Sequence, residues 1–72
     1  MTFIEKLQSL GFTLNESGDY ENYINNNSVV VTLFDGGSVG LVIYNEVTEE
    51  ETRGAYRSTP PVIRIINKLF NK

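Results

Sequence analysis

The chain has 72 residues, of which 40% are hydrophobic and 21% are charged, and its formal net charge is −3. This length and composition predict one small globular domain over residues 1–72. The absence of cysteine and histidine excludes disulfides, thiolate metal sites and imidazole-based catalysis. We therefore expect no metal, no cofactor and no enzymatic activity. The net negative charge also disfavours attraction to nucleic acid.

The first residues, MTFIEKLQSLGF, lack a basic flank and carry Glu5 inside their apolar stretch. This pattern is not that of a secretory signal. No apolar run approaches the roughly 20 residues that a membrane-spanning helix needs. We therefore expect a cytoplasmic protein.

Residues 3–10 are predicted to form a short helix. Thr2 is placed to cap it, and Glu5 stands three residues later, which completes the pattern of a capping box. Gly11 suits the left-handed position that follows the last helical turn, and this geometry would fold Phe12 back against the helix.

Four strands are predicted next, over residues 12–16, 20–25, 28–34 and 39–46. The last two are the strongest, because they are dense in β-branched and aromatic residues. Asn26 and Asn27 supply a turn before the third strand, since asparagine tolerates positive φ.

The turn between the two strongest strands contains Gly36 and Gly37. Alternating apolar sets flank it, namely Val29, Val31 and Leu33 before it and Val39, Leu41 and Ile43 after it. A two-residue turn would place Val31 opposite Val42 and separate the two sets, whereas a loop with an odd number of residues keeps both on one face. We therefore predict a three-residue loop with glycine in the left-handed conformation.

Residues 47–58 have little periodicity, and two interpretations remain open: a long loop or a short edge strand. A final helix begins with Thr59 as its cap and Pro60 in its first turn. Its predicted apolar face consists of Val62, Ile65, Ile66 and Leu69, widened by Ile63 and Phe70. Arg64, Lys68 and Lys72 lie opposite, as the solvated side of an amphipathic helix.

The predicted fold is therefore α+β, in two layers, with the order α-β-β-β-β-α and a fifth strand if residues 47–58 form an edge. The simplest packing is an antiparallel meander with both helices on one face.

The sheet face turned away from the helices is the first candidate site. It would carry Val30, Phe34, Val42 and Tyr44, although a solvated sheet face is normally mostly polar. The sequence leaves two explanations open. The face is a docking or self-association surface, or residues 47–58 fold over it.

Arg53, Tyr56 and Arg57 are the second candidate, because arginine and tyrosine dominate the energetics of protein interfaces. The alternative pairs the arginines with the acidic run 49–51 as surface ion pairs, which contribute little. The alternative is favoured, since composition alone supports the interface.

The function that fits best is a non-enzymatic protein-binding module, monomeric or dimeric. It would act as a regulator or inhibitor, of the kind that bacteria and mobile elements encode, by covering a surface on another protein. The second hypothesis is weak nucleic-acid binding, with Arg53, Arg57 and Tyr56 stacking on bases. No membrane and no small-molecule ligand is indicated.

Overall fold

A computed structural model describes residues 1–71, so the prediction for Lys72 lies outside the described residues. The elements are α1 (Phe3–Ser9), β1 (Thr13–Leu14), β2 (Tyr20–Ile24), β3 (Asn27–Leu33), β4 (Val39–Asn45), β5 (Glu51–Tyr56) and α2 (Pro60–Phe70). The strands form one antiparallel sheet in the order β1-β2-β3-β4-β5. The predicted two-layer α+β meander is confirmed, and residues 47–58 supply its fifth strand.

The ends of α1 form as predicted. The Glu5 N–H donates to Thr2 Oγ1 at 3.1 Å, and the Thr2 N–H donates to Glu5 Oε1 at 2.9 Å. The hydrogen bond from the Thr2 backbone lowers the pKa of Glu5. At the other end Gly11 has a φ of +96°, and the Phe12 N–H donates back to the Leu7 carbonyl at 2.9 Å. Phe12 is thereby turned into the core, where it is buried.

The hairpin of β3 and β4 has the predicted odd loop. Its register places Val31 opposite Leu41. The Phe34 N–H donates to the Ser38 carbonyl at 3.0 Å, so that only residues 35–37 form the loop. Both glycines of this loop have a φ of +89°, a conformation that costs glycine little. The apolar sets of β3 and β4 therefore share the face that the helices cover.

The core lies between that face and the two helices. Its buried side chains are Leu7, Phe12, Ile24, Val29, Val31, Val39, Leu41, Val62, Ile66 and Leu69. Two residues that were predicted to face the core are more exposed than its other members. Phe70 is 43% exposed, because it lies about 100° around the helix from Leu69. Leu33 is 39% exposed at the end of β3, where it lines an open depression with Phe3 and Val39.

The prediction that Thr59 caps α2 through its side chain is wrong. Thr59 stands at the N-cap position but has helical φ and ψ, and its side chain makes no capping hydrogen bond. A capping side chain bonds to the N–H of the second or third helical residue. The second residue here is Pro61, which has no N–H. The third is Val62, but Thr59 is helical and lacks the extended conformation that a capping residue normally has. The Thr59 carbonyl still accepts the first helical bond, from the Ile63 N–H at 3.1 Å.

Asparagines of the β2–β3 hairpin hold the carboxyl ends of both helices. The turn consists of Asn25 and Asn26, with φ values of 47° and 68°, and not of the predicted Asn26 and Asn27, because Asn27 pairs with Ile24 as the first residue of β3. The Asn25 side-chain amide donates to the Leu69 carbonyl at 2.6 Å, while Asn22 donates to the Leu10 carbonyl at 3.0 Å. Carbonyls at helix ends have no partner within the helix. One strand and its turn therefore satisfy such groups in α1 and α2 together.

Asn27 is the buried polar residue of the described chain, with 6% exposure. Its side-chain amide donates to the carbonyls of Ile24 and Asn25, both at 3.1 Å. Its side-chain oxygen accepts from the amide of Asn45 at 3.0 Å. The oxygen of Asn45 in turn accepts two backbone N–H groups of the turn after β4. This network ties the β2–β3 turn to the β4–β5 turn.

Candidate functional site

The face of the sheet opposite the helices, here called the outer face, is uncovered. Neither helix lies over it, because the core packs both against the other side. The explanation in which residues 47–58 fold over it is wrong, since β5 pairs beside β4 instead. By strand alternation the outer face carries Glu21, Tyr23, Ser28, Val30, Thr32, Phe34, Gly40, Val42, Tyr44, Glu51, Arg53 and Ala55.

The centre of the outer face is apolar. Val30 and Val42 lie directly opposite each other on the central strands. The ring of Phe34 lies against Gly40, where a Cβ atom would come within 2.9 Å of Phe34 Cε2. Phe34 is nevertheless 52% exposed. The aromatic ring of Phe34 thus packs against the backbone of Gly40 and remains exposed to solvent on its other side.

Two tyrosines extend this apolar surface along one row of the sheet. Tyr23 and Tyr44 flank Ser28 across three neighbouring strands, and they are 53% and 38% exposed. The Tyr23 hydroxyl donates to Glu46 Oε2 at 2.7 Å. This hydrogen bond to a carboxylate raises the pKa of Tyr23. It also fixes the position of the ring, whose faces remain available for contact.

The rim of the outer face is acidic. Glu21 lies beside Val30 on β2, while Glu51 and Glu46 lie near Tyr44 and Tyr23, at the end of the face away from Phe34. They stand against one guanidinium, that of Arg53. Arg53 Nε is already bonded to Glu51 Oε2 at 2.8 Å. This hydrogen bond lowers the pKa of Glu51 and raises that of Arg53. The predicted pairing of Arg53 with the acidic run is thus confirmed.

The second candidate set does not form one cluster. Tyr56 points to the helix side, opposite Val39, and packs half-buried against the core. Its hydroxyl would come within 2.9 Å of a Cβ atom on Gly54. Arg57 follows the end of β5, is exposed, and forms no ion pair within residues 1–71. Arg53 alone joins the outer face with Val30, Phe34, Val42 and Tyr44.

Two contributors to this face were missed at the level of sequence. The sequence does not assign Tyr23 to it, because the alternation of residues 20–25 is imperfect and the register of the 12–25 hairpin is ambiguous. Gly40 carries no side chain and so gives no apolar signal in the sequence. The signal for it was its position, since it falls opposite Thr32 and diagonal to Phe34 once the loop is odd.

The described residues of the outer face form no metal centre. A shallow depression of about 410 Å³ lies beside Phe34, Gly40 and Arg53. In the part of the chain that the structure describes, no three carboxylates gather closely enough to hold a metal ion. The one guanidinium on the outer face, that of Arg53, is already paired with the carboxylate of Glu51. Apolar contact is therefore what this arrangement offers.

A chelator is expected to leave Tm unchanged. A structural ion would bind the folded state alone and stabilise it by mass action, so its removal would lower Tm. This chain offers oxygen ligands only, which suit Mg²⁺ or Ca²⁺ rather than transition metals. Because no three carboxylates gather within the described residues, we expect no such ion. The measurement is thermal unfolding with and without EDTA, with added Ca²⁺ as the control. A clear fall in Tm on chelation would contradict the prediction and direct attention to the acidic run 49–51.

Neither helix in the described range has the length and apolar character needed to cross a membrane. The chain matches no protein-family model, no curated protein and no solved structure in the comparisons made.

Proposed function

We propose that the chain is a small, non-enzymatic, cytoplasmic protein-binding module that regulates or inhibits another protein by covering part of its surface. The observation that carries this proposal is the uncovered outer face. It combines the half-exposed ring of Phe34 with Val30 and Val42 at its centre. Soluble monomers seldom leave such a contiguous apolar surface exposed unless it serves contact.

The rigidity of the strands that carry this surface also favours binding. Val30 and Val42 lie on the two central strands, whose backbones are paired on both sides. Phe34 is held at the end of their hairpin, against Gly40. A surface on a rigid sheet loses little conformational entropy when it is covered. Aromatic residues in such positions commonly contribute most of the binding energy.

The rim indicates the chemistry of the partner. Glu21, Glu46 and Glu51 flank the apolar centre, so a complementary surface has lysine or arginine beside its apolar residues. The same charges disfavour nucleic acid. The stacking set proposed for nucleic acid is also dispersed, since Tyr56 faces the core and Arg53 is paired. We therefore place a basic protein surface ahead of a polyanion.

Replacing Phe34 by aspartate is expected to abolish partner binding while leaving Tm close to that of the wild type. The ring is half-exposed, so the fold loses little, whereas burying an unpaired carboxylate in an interface is costly. The matched control is Val47→Asp, which adds the same charge at a residue that is 72% exposed, in the turn after β4. Gly40→Ala is expected to weaken partner binding less than Phe34→Asp does, because its Cβ atom would displace the Phe34 ring without adding a charge.

The measurement is photo-cross-linking from position 34 in extract of the source cells, with position 47 as the control. One protein should cross-link from position 34 alone. Unlabelled wild type should compete with it, and Phe34→Asp should not. Identical products from both positions would refute the proposal. Unfolding of Phe34→Asp would show instead that Phe34 belongs to the core.

A further inference from the structure

The free edge of β5 is a second surface, distinct from the outer face. β5 is the last strand of the sheet and pairs with β4 only. Its pairing runs without a bulge from Glu51 to Tyr56, and the strand contains no proline. Proteins usually protect such an edge, because its unpaired backbone groups are a template for another strand.

The backbone groups on that edge can be assigned. The Asn45 N–H donates to the Glu50 carbonyl at 2.9 Å, so this pair is one of the hydrogen-bonded pairs of the β4–β5 ladder. Such pairs alternate with non-bonded pairs along an antiparallel ladder. The even-numbered residues of β5 therefore bond to β4. The residues whose N–H and C=O groups point away from β4 are Glu51, Arg53 and Ala55.

We propose that two copies of the chain pair through β5 in antiparallel fashion, about a two-fold axis at Gly54. Glu51 then lies opposite the partner's Arg57, and Arg53 lies opposite the partner's Ala55. The result is a continuous sheet across both copies, in which the two outer faces point the same way. This interface uses no residue of the apolar centre and stands independently of the proposed function.

Charge selects this register among those that symmetry allows. An axis at Arg53 would place that guanidinium against its own copy, and an axis at Ala55 would place Arg53 against the partner's Arg57. An axis at Thr52 would leave half of β5 without a partner. The axis at Gly54 pairs the whole strand and opposes opposite charges twice. Like charges directly opposite each other destabilise a strand pair, whereas unlike charges stabilise it.

Both charged groups can make this contact. Arg57 directly follows β5, is exposed, and has no ion-pair partner within the described 71 residues. Glu51 already accepts from Arg53, but a carboxylate has about four acceptor positions. Glu51 can therefore bind its own Arg53 and the partner's Arg57 together.

Sedimentation equilibrium over a series from micromolar to millimolar protein tests the proposal. The wild type should dimerise, and added salt should weaken the dimer because exposed ion pairs are screened. Arg57→Glu alone and Glu51→Arg alone should each raise the dissociation constant about tenfold or more, since both symmetric pairs become repulsive. An equimolar mixture of the two variants should dimerise again, because each charge then meets its opposite.

Arg64→Glu, which makes the same charge change on the exposed side of α2, should leave the dimer intact, as should Phe34→Asp. The proposal would be overturned by a wild type that is monomeric throughout the series, by a dimer that tolerates Arg57→Glu, or by a mixture that remains monomeric. Loss of the dimer in Phe34→Asp would also overturn it and would assign self-association to the outer face. The two proposals can therefore fail separately.

Discussion

Replacing Ile66 by alanine is expected to lower the free energy of unfolding by about 2–5 kcal/mol, as measured by urea denaturation. Ile66 is fully buried, at 0% exposure, in the core between α2 and the sheet. Truncation removes apolar contacts and leaves a cavity that the small core cannot readily close. A domain of this length has a total stability of about 4–10 kcal/mol, so the loss is a large fraction of it.

Asn67→Ala is the matched control, because Asn67 is the next residue of α2 and is exposed. It should change the free energy of unfolding by less than about 0.5 kcal/mol. If Ile66→Ala unfolds the chain outright, Ile66→Val should give a readable loss of about 0.5–1.5 kcal/mol. An effect of Ile66→Ala as small as that of the control would mean that α2 does not pack on the sheet.

Replacing Asn27 by alanine is expected to lower the free energy of unfolding by about 1–3 kcal/mol, because one buried carbonyl and two partly buried polar groups lose this partner. The carbonyls of Ile24 and Asn25 would each lose a donor, and the side chain of Asn45 would lose its acceptor. The same denaturation experiment measures the loss. The exposed Asn67→Ala again serves as the control, since it removes the same amide from a solvated position.

A loss at Asn27 of the size seen at Asn67 would contradict this expectation. It would mean that water replaces the buried amide without cost and that the two turns are not coupled through it. A second check uses Asn45→Ala, which removes the other half of the side-chain pair. Because the two residues share a hydrogen bond, their combined effect should be smaller than the sum of the single effects.

The parts of the fold that could be predicted from sequence are those set by local chemistry. The capping box of Thr2 and Glu5 needs only residues three apart. The loop at Gly36 and Gly37 must have an odd number of residues if the alternating apolar residues on both sides of it are to share one face. Both are decided within one element or one hairpin, and both appear in the structure.

What could not be predicted depends on partners distant in the chain. β5 carries Arg53 and Gly54, which weaken its pattern, and it becomes a strand by pairing with β4. That pairing also turns Tyr56 toward the core and away from Arg53, and so divides the predicted cluster. The failure of Thr59 as a side-chain cap depends on its helical φ and ψ, which the residue pattern does not reveal, since Pro61 removes only one of the two N–H groups that such a cap could use.

For the candidate site, the sequence predicted the four central residues and left open whether they are covered. That question depends on where residues 47–58 lie, which hydrophobic periodicity does not determine. Gly40 illustrates the same limit. It contacts the Phe34 ring only in the register of the folded sheet, where the two residues lie diagonally across the hairpin of β3 and β4.

The coincidence of strand order with chain order, from β1 to β5, has a consequence for folding kinetics. Every strand pairs only with its neighbours along the chain, so no pairing has to wait for a distant segment. Such a meander closes short loops, and short loops have a small entropic cost and form fast. The long-range step is the meeting of α1 and α2, from opposite ends of the chain, in one core. The rate of reaching the native state is therefore expected to depend mainly on the hairpins, and its lifetime on the docking of the helices.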